Sequence, residues 1–197
     1  MKAVLTGDIV NSRAFMGWQD ALIEVLNRYG SSPKTWEIFR GDSFQLIVDA
    51  ALALEAAIHI KSVIKSNAAL DVRIAIGLGE CSYHADQITL ANGSAFIHSG
   101  TAFDAIKNRT LVLQSANEQL DETLNLMLSL ASLTMDQWPP VTAQIVKARL
   151  EEPQLNQTEL SQKLDKAQSA ISKALSRAGY DEIHSMLQYY TKKIETL

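Results

Sequence analysis

Two Gly-Asp turns constrain the fold of this 197-residue chain more than any other feature. The first lies in Thr6-Gly7-Asp8-Ile9-Val10-Asn11-Ser12-Arg13, at the end of an apolar, β-prone run over 2–9 that reads as a buried strand. The second, Arg40-Gly41-Asp42-Ser43, separates β-prone runs at 35–40 and 43–49, a hairpin by its turn chemistry. Between them, Trp18, Ala21, Leu22, Val25 and Leu26 recur at helical spacing over 17–29, and Gly30-Ser31-Ser32-Pro33 stops that helix.

The pattern continues with an alanine-rich helix at 50–66, where Leu54, Ala57, Ile58, Lys61 and Ile64 fall three and four apart. Residues 71–78 alternate as a strand with one buried face. A helix near 94–107 and a strand at 110–114 follow. The order β-α-β-β-α-β is that of a ferredoxin-like or palm domain, with an added helix and strand, so the fold class is α+β.

A long helix over 117–135 follows, with Ser115 and Glu118 spaced as a capping box and Leu120, Leu124, Met127, Leu128, Ala131 and Leu133 as a broad apolar face. Trp138-Pro139-Pro140 then breaks the chain, because proline cannot continue the preceding helix. The expected organisation is a palm domain over 1–116, a connecting helix over 117–138 and an all-α domain over 139–197.

Aspartates delivered by the ends of neighbouring strands can share Mg²⁺, the usual means of holding a nucleotide phosphate. Asp8 and Asp42, with the Ile9 main chain, are the candidate ligands. The same residues have plainer readings, since Gly-Asp suits any tight turn and Asp8 could cap a helix starting at Val10. Arg13 and Arg40 could bind phosphate or neutralise the two carboxylates. Asn11 and Ser12 could meet a phosphate or shape the loop.

These turns resemble the palm of class III nucleotide cyclases, in which the first strand ends in Asp-Ile and the hairpin carries Gly-Asp before an aromatic; here Asp8-Ile9 and Gly41-Asp42-Ser43-Phe44 match. Val72-Arg73-Ile74-Ala75-Ile76-Gly77-Leu78-Gly79-Glu80 and Gly93-Ser94-Ala95-Phe96 resemble later segments of the same family. The asparagine and arginine that serve the cyclase transition state fall at Ile97 and Thr101, and the base-reading lysine at Ile38. Such a site is expected to bind better than it catalyses, which leaves no residue to assign as catalytic. A metal-dependent nucleotidyl cyclase or transferase is the alternative reading. Over nearly its whole length the chain resembles the bacterial SatD-like proteins, through its opening motif, the Arg-Gly-Asp-Ser-Phe hairpin, the Arg-Ile-Ala-Ile-Gly strand and its C-terminal region.

In that region, residues 142–151 read as a short helix, and Asn156 with Glu159 forms a capping box. Leu160, Leu164, Ile171 and Leu175 fall where a two-helix corner needs apolar residues. The pattern resembles the helix-turn-helix of bacterial regulators, with Gln168-Ser169-Ala170-Ile171-Ser172 opening the reading helix. An ordinary helical hairpin is the competing reading. Asp165 stands in the turn where glycine is common, and aspartate tolerates the left-handed conformation. Gln168, Ser169, Ser172, Lys173, Ser176 and Arg177 are the candidate DNA contacts. A final helix over 180–195 carries Ile183, Met186, Leu187, Tyr190 and Ile194, which with the 117–135 helix could form a homodimer interface.

Charge sits unevenly on this frame. Residues 1–138 carry 10 basic and 15 acidic side chains and residues 139–197 carry 8 and 7, so a near-neutral tail joins an acidic body, for a net charge of −4. That balance argues against a protein coated for bulk nucleic-acid binding. No uninterrupted apolar run is long enough for a membrane helix, no ordinary secretory signal is expected at the N-terminus, and Cys81 is the sole cysteine. The expected compartment is the cytoplasm. His59, His84, His98 and His184 show no metal-ligand spacing. The expected function is transcription regulation, with DNA and a nucleotide-type small molecule as partners and no membrane.

Overall fold

A computed structural model describes residues 1–15, 17–67, 70–83 and 85–197, so His84 lies outside the described residues. Five strands form one mixed sheet: β1 (Lys2–Val10), β2 (Trp36–Phe39), β3 (Ser43–Asp49), β4 (Asp71–Gly79) and β5 (Leu111–Gln114), in the order β2-β3-β1-β4-β5. β1 pairs antiparallel with both β3 and β4, and β5 adds parallel to β4. Eight α-helices are present among the described residues. The first three are α1 (Trp18–Asn27), α2 (Ala53–Ile64) and α3 (Ser94–Asp104). They are followed by α4 (Glu118–Met135), α5 (Pro140–Glu151), α6 (Gln157–Lys163), α7 (Gln168–Ala178) and α8 (Tyr180–Glu195). None is long and apolar enough to cross a membrane.

β1 is central because nearly every residue along it is apolar or small, so both of its faces can be covered. Ala3, Leu5 and Ile9 face the layer of α1 and α2, and Thr6 faces α3, where its hydroxyl lies 3.0 Å from Ser99 Oγ. Close approach of α3 depends on two glycines. A Cβ on Gly77 would stand 2.2 Å from Ala95 O, and one on Gly79 would stand 2.4 Å from Ser94 Oγ.

α2 is the axis of the molecule. Of its 12 residues only Glu55 escapes burial, which happens to a helix that is covered on all sides. The sheet and α1 cover part of it, and α5 and α8 cover the rest. Its three- and four-residue spacing suggests a single apolar face, whereas the structure uses the whole circumference. Lys61, 1% exposed, reaches Asp71 Oδ1 at the start of β4 and Asp136 Oδ1 at the end of α4, both at 2.8 Å. Lys65 adds bonds to Asp71 Oδ2 and to the Asp136 carbonyl. His59 completes a second link: Tyr29 Oη lies 2.9 Å from Nδ1, and Glu151 of α5 lies 3.2 Å from Nε2.

The C-terminal helices therefore share one apolar core with the sheet, running from Ala3 to Ile194. Trp138, buried at the proline break, donates its indole N–H to the Ala178 carbonyl at the end of α7. The apolar stripe of α8, expected to be available for a dimer, is spent in this core. Ile183, Met186, Leu187, Tyr190 and Ile194 are buried, and the Tyr190 hydroxyl donates to Ala50 O. On α4, Leu120, Leu124 and Leu128 turn inward, while Leu133, expected on the same face, is exposed beside Leu126 and Leu130.

Two caps were legible as patterns, and only one is used. Asn156 and Glu159 form the reciprocal capping box of α6. Asn117 rather than Ser115 caps α4, accepting from the Leu120 amide, because Ser115 is held by both carboxylate oxygens of Asp121. Further along α4, the Asn125 side-chain amide accepts from Leu113 N and donates to Leu113 O, covering the outer edge of β5.

Replacing Lys61 with alanine strips Asp136 of its charged partner. Because both aspartates keep some solvent contact, a loss of about 3 kcal/mol is expected in urea unfolding, the lower end for a broken buried pair. Burial holds the His59 pKa below its usual 6.5, although the Glu151 bond opposes the shift. The unfolded chain therefore takes up that proton first as pH falls, so the contribution of neutral His59 is intact above 6.5 and is lost below it. A urea midpoint that drops from pH 7.5 to about 5.5 in the wild type, and drops less in His59→Gln, is the expected result.

Candidate functional site

The end of β1 and the β2–β3 turn meet at one rim of the sheet. Asp8 stands in β1 opposite Ser43 of β3 and Arg73 of β4, and the Ile9 amide donates to the Asp42 carbonyl at 3.1 Å. The two aspartates therefore border a common space. Asp8, Ile9, Val10, Asn11, Ser12, Arg13, Asp42 and Arg73 line a cleft of about 560 Å³.

Local backbone conformation explains how the side chains arrive. Asp8 remains in the strand, which continues to Val10, so it caps no helix. At Asn11 the chain enters the left-handed region, φ 61°, and turns into the short 3₁₀ segment Ser12–Ala14. Ser12 is fixed from two sides. Its hydroxyl donates to Asp42 Oδ2 at 2.7 Å, and its carbonyl accepts from the Trp18 indole at 3.0 Å. The hairpin turn uses φ 52° at Arg40 and φ 92° at Gly41, the second a conformation suited to glycine. Gly7 is required for packing, since a Cβ there would stand 2.6 Å from the Phe44 ring and 2.8 Å from Arg73 O.

The strongest interaction in the cleft involves a residue absent from the expected set. Arg73 Nε donates to Asp8 Oδ1 at 2.9 Å and Nη2 donates to Oδ2 at 2.5 Å, a fork-on-fork pair. The guanidinium carbon also lies 5.9 Å from the ring centre of Phe103 on α3. The Asp8 hydrogen bonds raise the Arg73 pKa above its ordinary value, burial opposes them, and the charges of Asp8 and Asp42 add to the rise. Its place was readable in principle. The antiparallel register of β1 on β4 sets Asp8 beside Arg73.

The expected residues divide as follows. Asn11, Ser12 and Arg13 line the cleft with the two aspartates. Arg40 does not, and its guanidinium lies 6.0 Å from the Phe39 ring centre instead. The counter-charge for a carboxylate, expected from Arg13 or Arg40, comes from Arg73. Oxygen donors suit Mg²⁺. In this arrangement, however, both Asp8 oxygens accept from Arg73 and one Asp42 oxygen accepts from Ser12. Ile97 and Thr101 sit exposed on α3.

At the other end of the molecule, α6 and α7 meet through a tight turn. Asp165 takes φ 49°, as its side chain permits, and the Lys166 amide donates to Ser161 O. Leu160, Ile171 and Leu175 are buried and Leu164 packs against them, so the corner closes on the residues expected. Gln168, Ser169, Lys173, Ser176 and Arg177 are exposed and Ser172 is half-buried. Ser176 and Arg177 also border a groove of about 500 Å³ against α4 and α8, with Leu130 and Met186 in its walls. No protein-family model matches the sequence, and no curated protein matches it either.

Gly7→Ala tests how tightly the cleft is set. Overpacking against Phe44 and the Arg73 main chain is expected to cost about 1–3 kcal/mol, read as a lowered thermal midpoint with secondary structure retained.

Proposed function

We propose that this protein is a cytoplasmic transcription regulator of the SatD-like type, in which α6 and α7 form a DNA-reading helix-turn-helix and a palm-like sheet domain binds a nucleotide-type ligand. The observation that carries the reading is the exposed polar face of α7, presented beyond the left-handed turn at Asp165. Gln168, Ser169 and Ser172 offer groups suited to base edges, and Lys173, Ser176 and Arg177 offer groups suited to phosphate or guanine. The sheet order β2-β3-β1-β4 supports the palm assignment, with β5 as an addition. The cleft at the end of β1 supplies the ligand site, with charged and hydroxyl groups but with Ile97 and Thr101 in place of the asparagine amide and arginine guanidinium that would serve a transition state.

DNA reading by such a motif normally uses two copies on two half-sites. With the α8 stripe buried, the outward leucines of α4, Leu126, Leu130 and Leu133, are the surface we assign to a homodimer. The Trp138–Ala178 bond and the packing of α7 and α8 on α4 connect that surface to the reading helix.

Selection of genomic duplex fragments against the protein at low salt is expected to yield a retained sequence, with affinity falling steeply as salt rises. Lys173→Ala should weaken retention of all fragments and reduce the salt slope by about 1, whereas Gln168→Ala should relax discrimination among them. Equal and negligible retention of every duplex at low salt rejects the proposal.

A further inference from the structure

The cleft beside Asp8 carries its own cation. We infer that Arg73 stands where the resemblance to cyclases puts a divalent metal, and that the cleft takes a weakly charged phosphate ester without metal. This rests on the proposed nucleotide-type ligand and narrows its class.

The argument begins with the donors. A Mg²⁺ ion demands near-ideal octahedral oxygen geometry and gives up its waters reluctantly, so it needs carboxylate oxygens that are free to turn toward it. Both oxygens of Asp8 instead accept from the planar fork of Arg73, at 2.9 and 2.5 Å, which fixes the carboxylate against turning. Oδ2 of Asp42 is committed to Ser12 at 2.7 Å. The guanidinium carbon also lies 5.9 Å from the centre of the Phe103 ring. Asp8 and Arg73 are directly opposed in the sheet, so the pair is set by strand register as well as by rotamer choice. A metal on the remaining lone pairs of Asp8 would stand beside the Arg73 guanidinium, which like-charge repulsion opposes, and a metal in the place of that guanidinium requires the pair to open.

Charge then defines the ligand. The lining has two carboxylates, Asp8 and Asp42, and two guanidiniums, Arg13 and Arg73, and is formally neutral. A triphosphate brings several negative charges, and this wall has no surplus to meet them. A monophosphate ester brings one or two. The two Arg73 nitrogens that bind Asp8 do not exhaust its N–H groups, so the edge left over can face a phosphate oxygen. Arg13, exposed at the rim, can contact the same group. The Asp42 carboxylate suits a hydroxyl or amino donor on the remainder of the ligand. A nucleoside monophosphate has both parts, and about 560 Å³ lies within the usual range for a small-molecule site.

Mn²⁺ binding followed by electron paramagnetic resonance tests the metal half without any nucleotide. Wild type is expected to hold Mn²⁺ at least about tenfold more weakly than Arg73→Met, which removes the positive charge beside Asp8 and lets its carboxylate turn. Asp8→Asn is expected to leave the weak wild-type affinity unchanged, and this arm stands if Arg73→Met does not fold. Equal Mn²⁺ affinity in wild type and Arg73→Met, or a clear loss in Asp8→Asn, overturns the inference. Calorimetry with adenosine and guanosine monophosphates tests the ligand half. Binding in EDTA within about twofold of that in Mg²⁺ is expected, and binding that appears only with Mg²⁺ overturns the inference. Failure of both monophosphates to bind in either buffer overturns the ligand class and the proposed nucleotide-type ligand with it, a result separate from the Mn²⁺ outcome.

Discussion

Lys61 ties the molecule together. A lysine this deeply buried is tolerated only when its charge is answered, and here two aspartates from distant parts of the chain answer it. Asp71 opens β4, Asp136 closes α4, and Lys61 rises from the helix that lies between the sheet and the C-terminal helices. The three segments cannot shift independently without leaving a charge in an apolar surrounding. The position of β4, and so of Arg73 two residues beyond Asp71, is fixed by the same interaction.

The candidate site residues lie where that frame ends. The cleft forms at the rim of the sheet, where β1 runs out into the Asn11 turn and the hairpin turns at Gly41. The proposed DNA-reading face occupies the last helical layer, held to the rest of the chain by the Trp138 indole and the buried stripe of α8. Between the two stands α2, enclosed on every side. A ligand that altered the Asp8–Arg73 pair would act on β4, which meets α2 and α4 through Asp71, Lys61 and Asp136. That route is made of contacts described above, and it is short.

Much of this was readable from residue order. Element types and bounds follow from periodicity and from the Gly-Asp, Gly-Ser-Ser-Pro and Trp-Pro-Pro punctuation, and the Asn156–Glu159 cap and the left-handed Asp165 follow from local chemistry alone. The features that escaped are those decided by partners far along the chain. The Asp8–Arg73 pair spans 65 residues and depends on which strands become neighbours. The burial of α2 on all sides, and of the α8 stripe, depends on the helices returning to cover the sheet layer. Ser115 had the right spacing to cap α4, but Asp121, one turn further on, competes for it. Local patterns state what a residue can do; packing decides which option is used.

Asn125 has an effect beyond its own helix. Its amide presents one acceptor and one donor to Leu113, as a neighbouring backbone would, and so imitates a sixth strand. Exposed strand margins recruit other chains into continuous fibres, and proteins commonly blunt them. With Leu113 already answered by a side chain, growth of the sheet is opposed at its β5 margin.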